Sequence, residues 1–257
     1  MSGRCHVENE LGGCGASYRW GIAAGGDMTA TATLDFSLLN LVAHEMRAPL
    51  TVIKGYSSML RDGTLSDVGE TMDVIDGATH QLDELADTLI TAARLESAEV
   101  PCQPSVFDVA EAVAEAYWRV EARARLEQAV VAVQPPACTL VVSADRSHVV
   151  RILTNLLNNA LTYSPRPAGV VVEVRDGPVV EVAVHDSGVG IVPEWQGRIF
   201  ERFTRYTEHG AGRPAGMGLG LPISRDLAEL NGGELFLERS APGEGSVFVL
   251  RLPLARG

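Results

Sequence analysis

Two asparagines, Asn155 and Asn159, lie four positions apart in the segment NLLNNALTY. This spacing puts both amides on one face of a predicted helix, while the leucines of the segment face the core. An amide oxygen is a neutral, hard ligand, which suits Mg²⁺ when the ion also keeps water and phosphate oxygens. The alternative is that both amides are helix caps or hydrogen-bonding groups of the core.

Two glycine motifs follow further along the chain. DSGVG at 186–190 comes directly after a predicted buried strand, and the ionised Asp186 can only accept hydrogen bonds. Such an acceptor suits the exocyclic amino group of adenine and rejects the carbonyl of guanine. GMGLG at 216–220 precedes a predicted helix, where glycine backbone and unpaired N–H groups can approach a phosphate closely. Each motif alone is also typical of an ordinary tight turn.

The dyad His44-Glu45 lies in a separate part of the chain. Apolar residues recur at steps of three and four from Leu38 to Leu60, which predicts an amphipathic helix with His44 off the apolar stripe and facing solvent. Pro49 removes one backbone hydrogen bond, so we expect a bend just beyond the histidine. By itself, a histidine in this setting is usually an ordinary surface residue.

Composition excludes several classes of function. The 257 residues suffice for two modest domains, and 46% hydrophobic residues can supply each with a core. Thirty-three acidic and 21 basic residues give a net charge of −12, which disfavours nucleic acid and anionic lipid as partners. The four cysteines show no metal-ligand spacing, and no apolar run approaches the ~18 residues of a membrane span. We therefore expect a soluble, cytoplasmic protein with free thiols and no membrane span.

Hydrophobic periodicity divides the chain into four parts. Residues 1–33 have no period and are predicted to be a flexible N-terminal segment. Residues 34–99 contain two amphipathic helices joined by a short loop, which predicts an antiparallel helical hairpin. Pro101 and Pro104 indicate a linker over residues 100–105. In residues 106–257, helices and hairpin-like strand pairs are intermixed, which predicts an α/β sandwich with one mixed sheet.

The expected fold class is therefore α+β. The hairpin presents a broader apolar face than it can bury alone. Pairing with a second copy would bury that face in a homodimeric four-helix bundle. The other solution is packing of the hairpin on its own downstream domain, and the apolar stripes do not decide between the two.

Six motifs, taken in order and spacing, resemble those of a known family. They are HEMRAPL (44–50), NLLNNA (155–160), DSGVGI (186–191), IFERFTR (199–205), GMGLGL (216–221) and GEGSVFVLRLP (243–253). Together they are similar to the boxes of HisKA-type sensor histidine kinases, whose nucleotide-binding domain belongs to the gyrase, Hsp90, histidine kinase and MutL ATPase superfamily. The resemblance covers residues 34–254.

The resemblance implies a role for each matching residue. His44 would be the phosphoacceptor, and Glu45 would take up the proton from its other ring nitrogen. Asn159 would bind Mg²⁺ beside Asn155, and Asp186 would accept from the amino group of adenine. The remaining residues implied to form the nucleotide site are Tyr163, stacking on adenine, Arg205, meeting the γ-phosphate, and the loop residues Gly188, Gly190, Gly216, Gly218, Leu219 and Gly220.

Two positions depart from the family pattern. The family commonly carries lysine or arginine between the second asparagine and the aromatic residue, where this chain has Leu161-Thr162. Arg166 is a candidate to supply that phosphate contact instead. The histidine box usually reads RTPL, and here Ala48 replaces the threonine. In the family that polar residue helps to aim a water at the partner's phosphoaspartate.

The resemblance predicts an ATP-dependent protein-histidine kinase of a two-component system. It would autophosphorylate His44 and transfer the phosphoryl group to an aspartate of a response regulator, with weak phosphatase activity. The expected cofactors are ATP and Mg²⁺. The expected partners are a response-regulator receiver domain, a second copy of the chain and a separate sensor or input protein. The alternative is a nucleotide-binding pseudokinase scaffold that docks partners through its helical bundle, because Thr162 weakens the phosphate site.

Overall fold

A computed structural model describes residues 36–64, 67–136, 138–204 and 216–255. In this part of the chain, a helical hairpin precedes a mixed α/β domain. The elements follow the order α1 (Phe36–Arg61), α2 (Val68–Glu96), β1 (Ser105–Asp108), α3 (Val109–Leu126), β2 (Val130–Gln134), β3 (Val141–Ala144), α4 (Arg146–Tyr163), β4 (Gly169–Arg175), β5 (Val180–Asp186), α5 (Pro193–Gln196), α6 (Gly220–Leu230), β6 (Glu234–Ala241) and β7 (Gly245–Leu252).

Helices α1 and α2 pack against each other as the predicted hairpin. Helix α1 continues without interruption through Pro49. Helix α2 begins after Asp67, whose carboxylate accepts a hydrogen bond of 3.0 Å from the N–H of Glu70. This bond satisfies one of the N–H groups that the first turn of a helix leaves unpaired.

Five strands form the mixed sheet of the second domain, in the order β2-β4-β5-β7-β6. Strands β2 and β4 are parallel, and the other neighbouring pairs are antiparallel. Strands β1 and β3 form a separate antiparallel pair. The predicted α/β sandwich with one mixed sheet is confirmed, whereas β1 and the short helix α5 were not predicted. Strand β1 begins at Ser105, the last residue of the expected linker.

The core of the domain lies between the sheet and helices α3, α4 and α6. Side chains that alternate along the strands, such as Val172, Val182 and Leu250, point to the same face and are buried. Ile152 and Leu156 of α4 meet them from the helical layer. Burial of this apolar surface fixes α4 and α6 against the sheet. These two helices carry Asn155, Asn159, Tyr163 and Gly220 of the expected site residues.

The hairpin packs on the α/β domain of its own chain. Ala92 of α2 is buried in the same core, and Leu89 packs against that core. Arg151 of α4 donates a hydrogen bond of 2.8 Å to Thr91 Oγ1. One of the two packings that the sequence left open is therefore observed.

Large apolar side chains of the hairpin nevertheless remain exposed. At about 100° per residue, three of them fall on one side of α1 and three on one side of α2. Exposed apolar surface of this extent usually marks an interaction site. No helix within the described ranges is both long and apolar enough to cross a membrane. These six residues are Leu39, Met46 and Leu50 of α1 and Val68, Met72 and Ile90 of α2. Two further exposed apolar residues of α1, Val52 and Met59, lie on its opposite side.

Candidate active site

Asp186 lies at the end of β5, and its two carboxylate oxygens have different surroundings. Oδ1 accepts hydrogen bonds from the N–H groups of Gly188 at 2.8 Å and Ser246 at 3.1 Å. No residue of the described ranges donates a hydrogen bond to Oδ2. Burial raises the pKa of this carboxyl, an effect that exceeds the opposing effect of the two backbone hydrogen bonds. Asp186 can therefore offer one oxygen to an amino group.

The backbone after Asp186 packs too closely for side chains. Gly190 has a φ of 70°, and a Cβ there would lie 1.8 Å from the carbonyl oxygen of Ala241. At Gly188 a Cβ would lie 2.7 Å from the carbonyl oxygen of Tyr163, which also accepts a hydrogen bond of 3.1 Å from Val189. The glycines of DSGVG thus join the end of β5 to the β6–β7 turn and to the end of α4.

Asn155, Asn159 and Tyr163 follow one another at successive turns of α4, and all three are half-buried. The amide nitrogen of Asn155 donates a hydrogen bond of 2.9 Å to Ser224 Oγ of α6. A Cβ on Gly220 would lie 2.4 Å from Asn155 Oδ1, so the start of α6 can approach α4 only because residue 220 is glycine. The structure therefore brings the asparagine motif and the GMGLG motif into contact.

The Asn159 side chain forms no hydrogen bond with any residue of the described ranges. A half-buried amide without a protein partner retains an oxygen for a ligand. The donor type and this availability both fit Mg²⁺.

The GMGLG segment provides backbone groups more than side chains. Phe203 donates a backbone hydrogen bond of 3.0 Å to the carbonyl of Gly218. The side chain of Leu219 is 1% exposed and belongs to the core, so only its backbone can face a ligand. Helix α6 starts at this point without a side-chain cap and without an acidic residue in its first turn. Arg205, expected at the γ-phosphate, lies outside the described residues.

Glu45 connects the hairpin to the GMGLG segment. Its Oε2 accepts a hydrogen bond of 2.9 Å from the backbone N–H of Gly216, 171 residues further along the chain. His44, its neighbour in α1, is exposed, as its position off the apolar stripe predicts. The histidine motif of α1 and the GMGLG motif are therefore close together, as a phosphoacceptor and a phosphate-binding segment would have to be.

Arg123 of α3 reaches the position where the family has a basic residue. Its guanidinium donates hydrogen bonds of 3.0 Å to Thr162 Oγ1 and to Asn158 Oδ1, and it forms an ion pair of 3.0 Å with Glu127. Arg166, the candidate proposed from sequence, has a side chain that is 71% exposed and lies 3.5 Å from the same Glu127. The structure thus brings a different arginine to Thr162, one that no local motif indicates.

A second cluster of potential ligands lies away from this site, where Cys102, Asp145 and His148 place their donor atoms within 4.8 Å of one another. Asn231 Oδ1 accepts a hydrogen bond of 2.6 Å from the N–H of Asp145, so the Asn231 amide nitrogen faces His148 Nδ1 at 3.2 Å. The ring proton of the neutral imidazole is then on Nε2, which leaves no lone pair there for a metal ion. Burial also lowers the pKa of His148. The cluster therefore acts as a structural hydrogen-bond network between linker, α4 and α6.

The fold and the site together define a class of protein. The structure has a carboxylate at the end of a sheet strand, two asparagines on one helix and a glycine-rich helix start, in the arrangement expected from the resemblance to the gyrase, Hsp90, histidine kinase and MutL ATPase superfamily. Residues 144–256 match the family model of the histidine kinase-, DNA gyrase B- and HSP90-like ATPase, and residues 37–98 match the His Kinase A (phospho-acceptor) domain. The chain therefore belongs to the histidine kinase family.

Individual relatives agree with this assignment. The chain is 35% identical to histidine protein kinase DivJ of Caulobacter vibrioides over 89% of its own length and 39% of that protein. It is 34% identical to the sensor-like histidine kinase SenX3 of Mycobacterium tuberculosis over 82% of its own length and 52% of SenX3. Full-length ShkA in complex with AMPPNP has a TM-score of 0.62 at 25% identity, covering 86% of this chain and 46% of ShkA. The chain thus spans about half or less of the length of these relatives.

Proposed function

We propose that this chain is an ATP-dependent protein-histidine kinase, which phosphorylates itself on His44 and passes the phosphoryl group to an aspartate on the receiver domain of a response regulator. The main support is the hydrogen bond between Glu45 and Gly216, because it brings the residue next to the expected phosphoacceptor within reach of the segment expected to meet the phosphates. The two matched domain families provide the same pairing of a phosphoacceptor with an ATPase fold.

The proposed residue roles give ATP one orientation in the site. The amino group of adenine is expected at Asp186 Oδ2, with Tyr163 beside the ring, and the phosphates extend toward Gly216 and the start of α6. Asn159, whose amide has no hydrogen-bond partner among the described residues, would hold Mg²⁺, and the ion would neutralise charge on the phosphate oxygens. Arg123 supplies positive charge beside Thr162. This substitution of one arginine for the missing basic residue weakens the case for a pseudokinase scaffold.

The chemistry of the first step requires one nucleophile and one base. A neutral imidazole nitrogen of His44 attacks the γ-phosphorus, the bond to the β–γ bridging oxygen breaks, and ADP leaves. The proton on the other ring nitrogen passes to the carboxylate of Glu45. In the second step, a carboxylate oxygen of the regulator's aspartate attacks the phosphorus of the phosphohistidine and the N–P bond breaks. Glu45 returns its proton to the ring, which regenerates neutral His44. Positioning and charge neutralisation account for most of the acceleration.

A homodimer is the proposed assembly of the hairpin. The exposed apolar residues on one side of each helix, Met46 and Leu50 of α1 and Met72 of α2 among them, provide surface that a second hairpin can cover. Four helices packed in this way would leave His44 accessible, since it lies off the apolar stripe of α1.

Incubation with γ-labelled ATP and Mg²⁺ tests the proposal. We expect acid-labile label on the wild-type protein and none on His44→Gln, while ATP binding is retained because the nucleotide site is in the other domain. His80→Gln is the matched control, since His80 is also exposed on the hairpin, and it should be labelled normally. Free phosphate without protein-bound label would indicate an ATPase instead. The absence of both products would indicate a scaffold.

A further inference from the structure

The backbone N–H of Gly216 is occupied by an anionic group of the protein itself. Oε2 of Glu45 accepts its hydrogen bond at 2.9 Å, and Glu45 is half-buried at this contact. Glu45 is the only acidic residue of α1, so no other carboxylate of that helix could make the contact. A carboxylate and a phosphate oxygen are chemically similar acceptors, because both are anionic and accept charge-assisted hydrogen bonds from N–H groups.

The start of α6 is built to attract an anion. Its first turn has no acidic residue, and no side chain caps its N–H groups. Unpaired N–H groups and the positive end of the helix dipole favour negative charge at this position. Two anions cannot share the single N–H of Gly216, and their like charges would repel each other at hydrogen-bonding distance.

We propose that Glu45 and the phosphates of ATP compete for Gly216, so that the general base is held away from His44 until ATP displaces it. This inference rests on the proposed function, and it adds a control step to it. Without nucleotide, the hydrogen bond from Gly216 holds the carboxylate at the glycine loop, and this contact competes with uptake of a proton from the histidine. Phosphate oxygens that replace it at Gly216 release it beside the phosphoacceptor. Arrival of the substrate thus completes the catalytic pair.

Competition with Glu45 should weaken the binding of ATP by an amount that can be measured. The apparent dissociation constant is the intrinsic one divided by the fraction of molecules in which the site is available. If Glu45 occupies Gly216 in about nine molecules of ten, its removal increases ATP affinity about tenfold. Adenosine has no phosphates and does not need Gly216, so its affinity should not change.

The test measures binding of ATP and of adenosine by calorimetry to the wild type, Glu45→Ala and Glu45→Gln. We expect ATP to bind about tenfold more tightly to Glu45→Ala, with a smaller gain for Glu45→Gln, because a neutral amide oxygen still accepts from Gly216 but more weakly. Glu84→Gln is the matched control, since Glu84 is an exposed carboxylate on α2 and its removal changes the net charge equally. It should leave both affinities unchanged.

Several results would overturn the competition. Equal ATP affinity in the wild type and Glu45→Ala means that Glu45 acts only as a base. If Glu45→Ala gains affinity for ATP and for adenosine equally, the contact acts on the whole site and not on the phosphates. If Glu84→Gln gains the same affinity for ATP as Glu45→Ala, the cause is general electrostatic repulsion. Binding is measured without phosphoryl transfer, so these results are independent of the label on His44 that tests the proposed function.

Discussion

The exchange of Asp186 for asparagine would separate two roles that the carboxylate combines. Oδ1 accepts from the N–H groups of Gly188 and Ser246, so an asparagine must direct its oxygen toward the same two donors. Its NH₂ group then occupies the position of Oδ2. There it presents hydrogens to the amino group of adenine, which itself offers hydrogens. The variant should therefore keep the fold and lose the adenine contact.

The size of the loss follows from the type of hydrogen bond. A hydrogen bond to a charged group contributes on the order of 1.5–3 kcal/mol, and the buried amino group is left poorly paired. At about 1.4 kcal/mol for each factor of ten, ATP affinity should fall from about tenfold to more than a hundredfold. The free energy of unfolding should change by no more than about 1 kcal/mol, because both backbone hydrogen bonds remain.

Calorimetry with ATP measures the affinity, and thermal unfolding checks the fold. Asp176→Asn is the control, because Asp176 is exposed in the turn between β4 and β5 and contacts no part of the site. Burial raises the pKa of Asp186. Protonation would place a hydrogen on Oδ2, because Oδ1 already accepts two backbone hydrogen bonds, and Oδ2 would then face the amino group of adenine as a donor. Adenosine affinity should therefore fall on acidification at a higher pH than for an ordinary carboxyl, and this dependence should be absent in Asp186→Asn. Unchanged ATP affinity in Asp186→Asn would refute the adenine contact.

Three further predictions concern other parts of the chain. Arg123→Ala should raise the KM for ATP about tenfold, because it removes the positive charge beside Thr162. A second substitution, Thr162→Lys, should restore the wild-type KM. Arg119→Ala, on the exposed side of α3, is the control and should leave the KM unchanged. If steady-state kinetics of Arg123→Ala match the wild type, Arg123 has no contact with the phosphates. Ala48→Thr adds a hydroxyl one turn from His44 and should accelerate dephosphorylation of the phospho-regulator without changing autophosphorylation; equal rates in parent and variant would contradict this role. Met72→Glu should convert a dimer into monomers in light scattering, at a cost of several kcal/mol for an unpaired buried carboxylate, and a monomeric wild type would exclude the four-helix bundle.

Long periodic segments made most of the fold predictable. Helix α4 could be predicted from the sequence because Asp145 precedes it as a cap and its leucines recur at helical spacing. Strand β1 and helix α5 have four residues each, too few to display a period, so their structure depends on pairing with β3 and on packing against β6. The apolar stripes of the two hairpin helices also did not indicate whether the hairpin packs on its own domain or on a second copy of the chain.

The residues of the candidate site also fall into two groups, those that the sequence identifies and those that only the structure identifies. Asp186, Asn159 and the glycines belong to continuous motifs, so their types and order could be recognised. The contact of Arg123 with Thr162 joins residues 39 positions apart, and the contact of Glu45 with Gly216 joins residues 171 apart. No local sequence motif indicates either contact, because both contacts depend on how separate elements pack. Leu219, expected in the nucleotide site, instead contributes its side chain to the core.

The packing of α2 on the α/β domain of the same chain has a genetic consequence. Arg151 and Ala92 hold each hairpin on its own nucleotide domain, and Glu45 meets Gly216 of the same chain. In a mixed dimer, a subunit with His44→Gln and a subunit with Asp186→Asn would then contain no complete pair of phosphoacceptor and nucleotide site. Two such alleles expressed in one cell should fail to complement each other. Recovery of phosphorylation in that cell would show that the domains exchange partners between subunits.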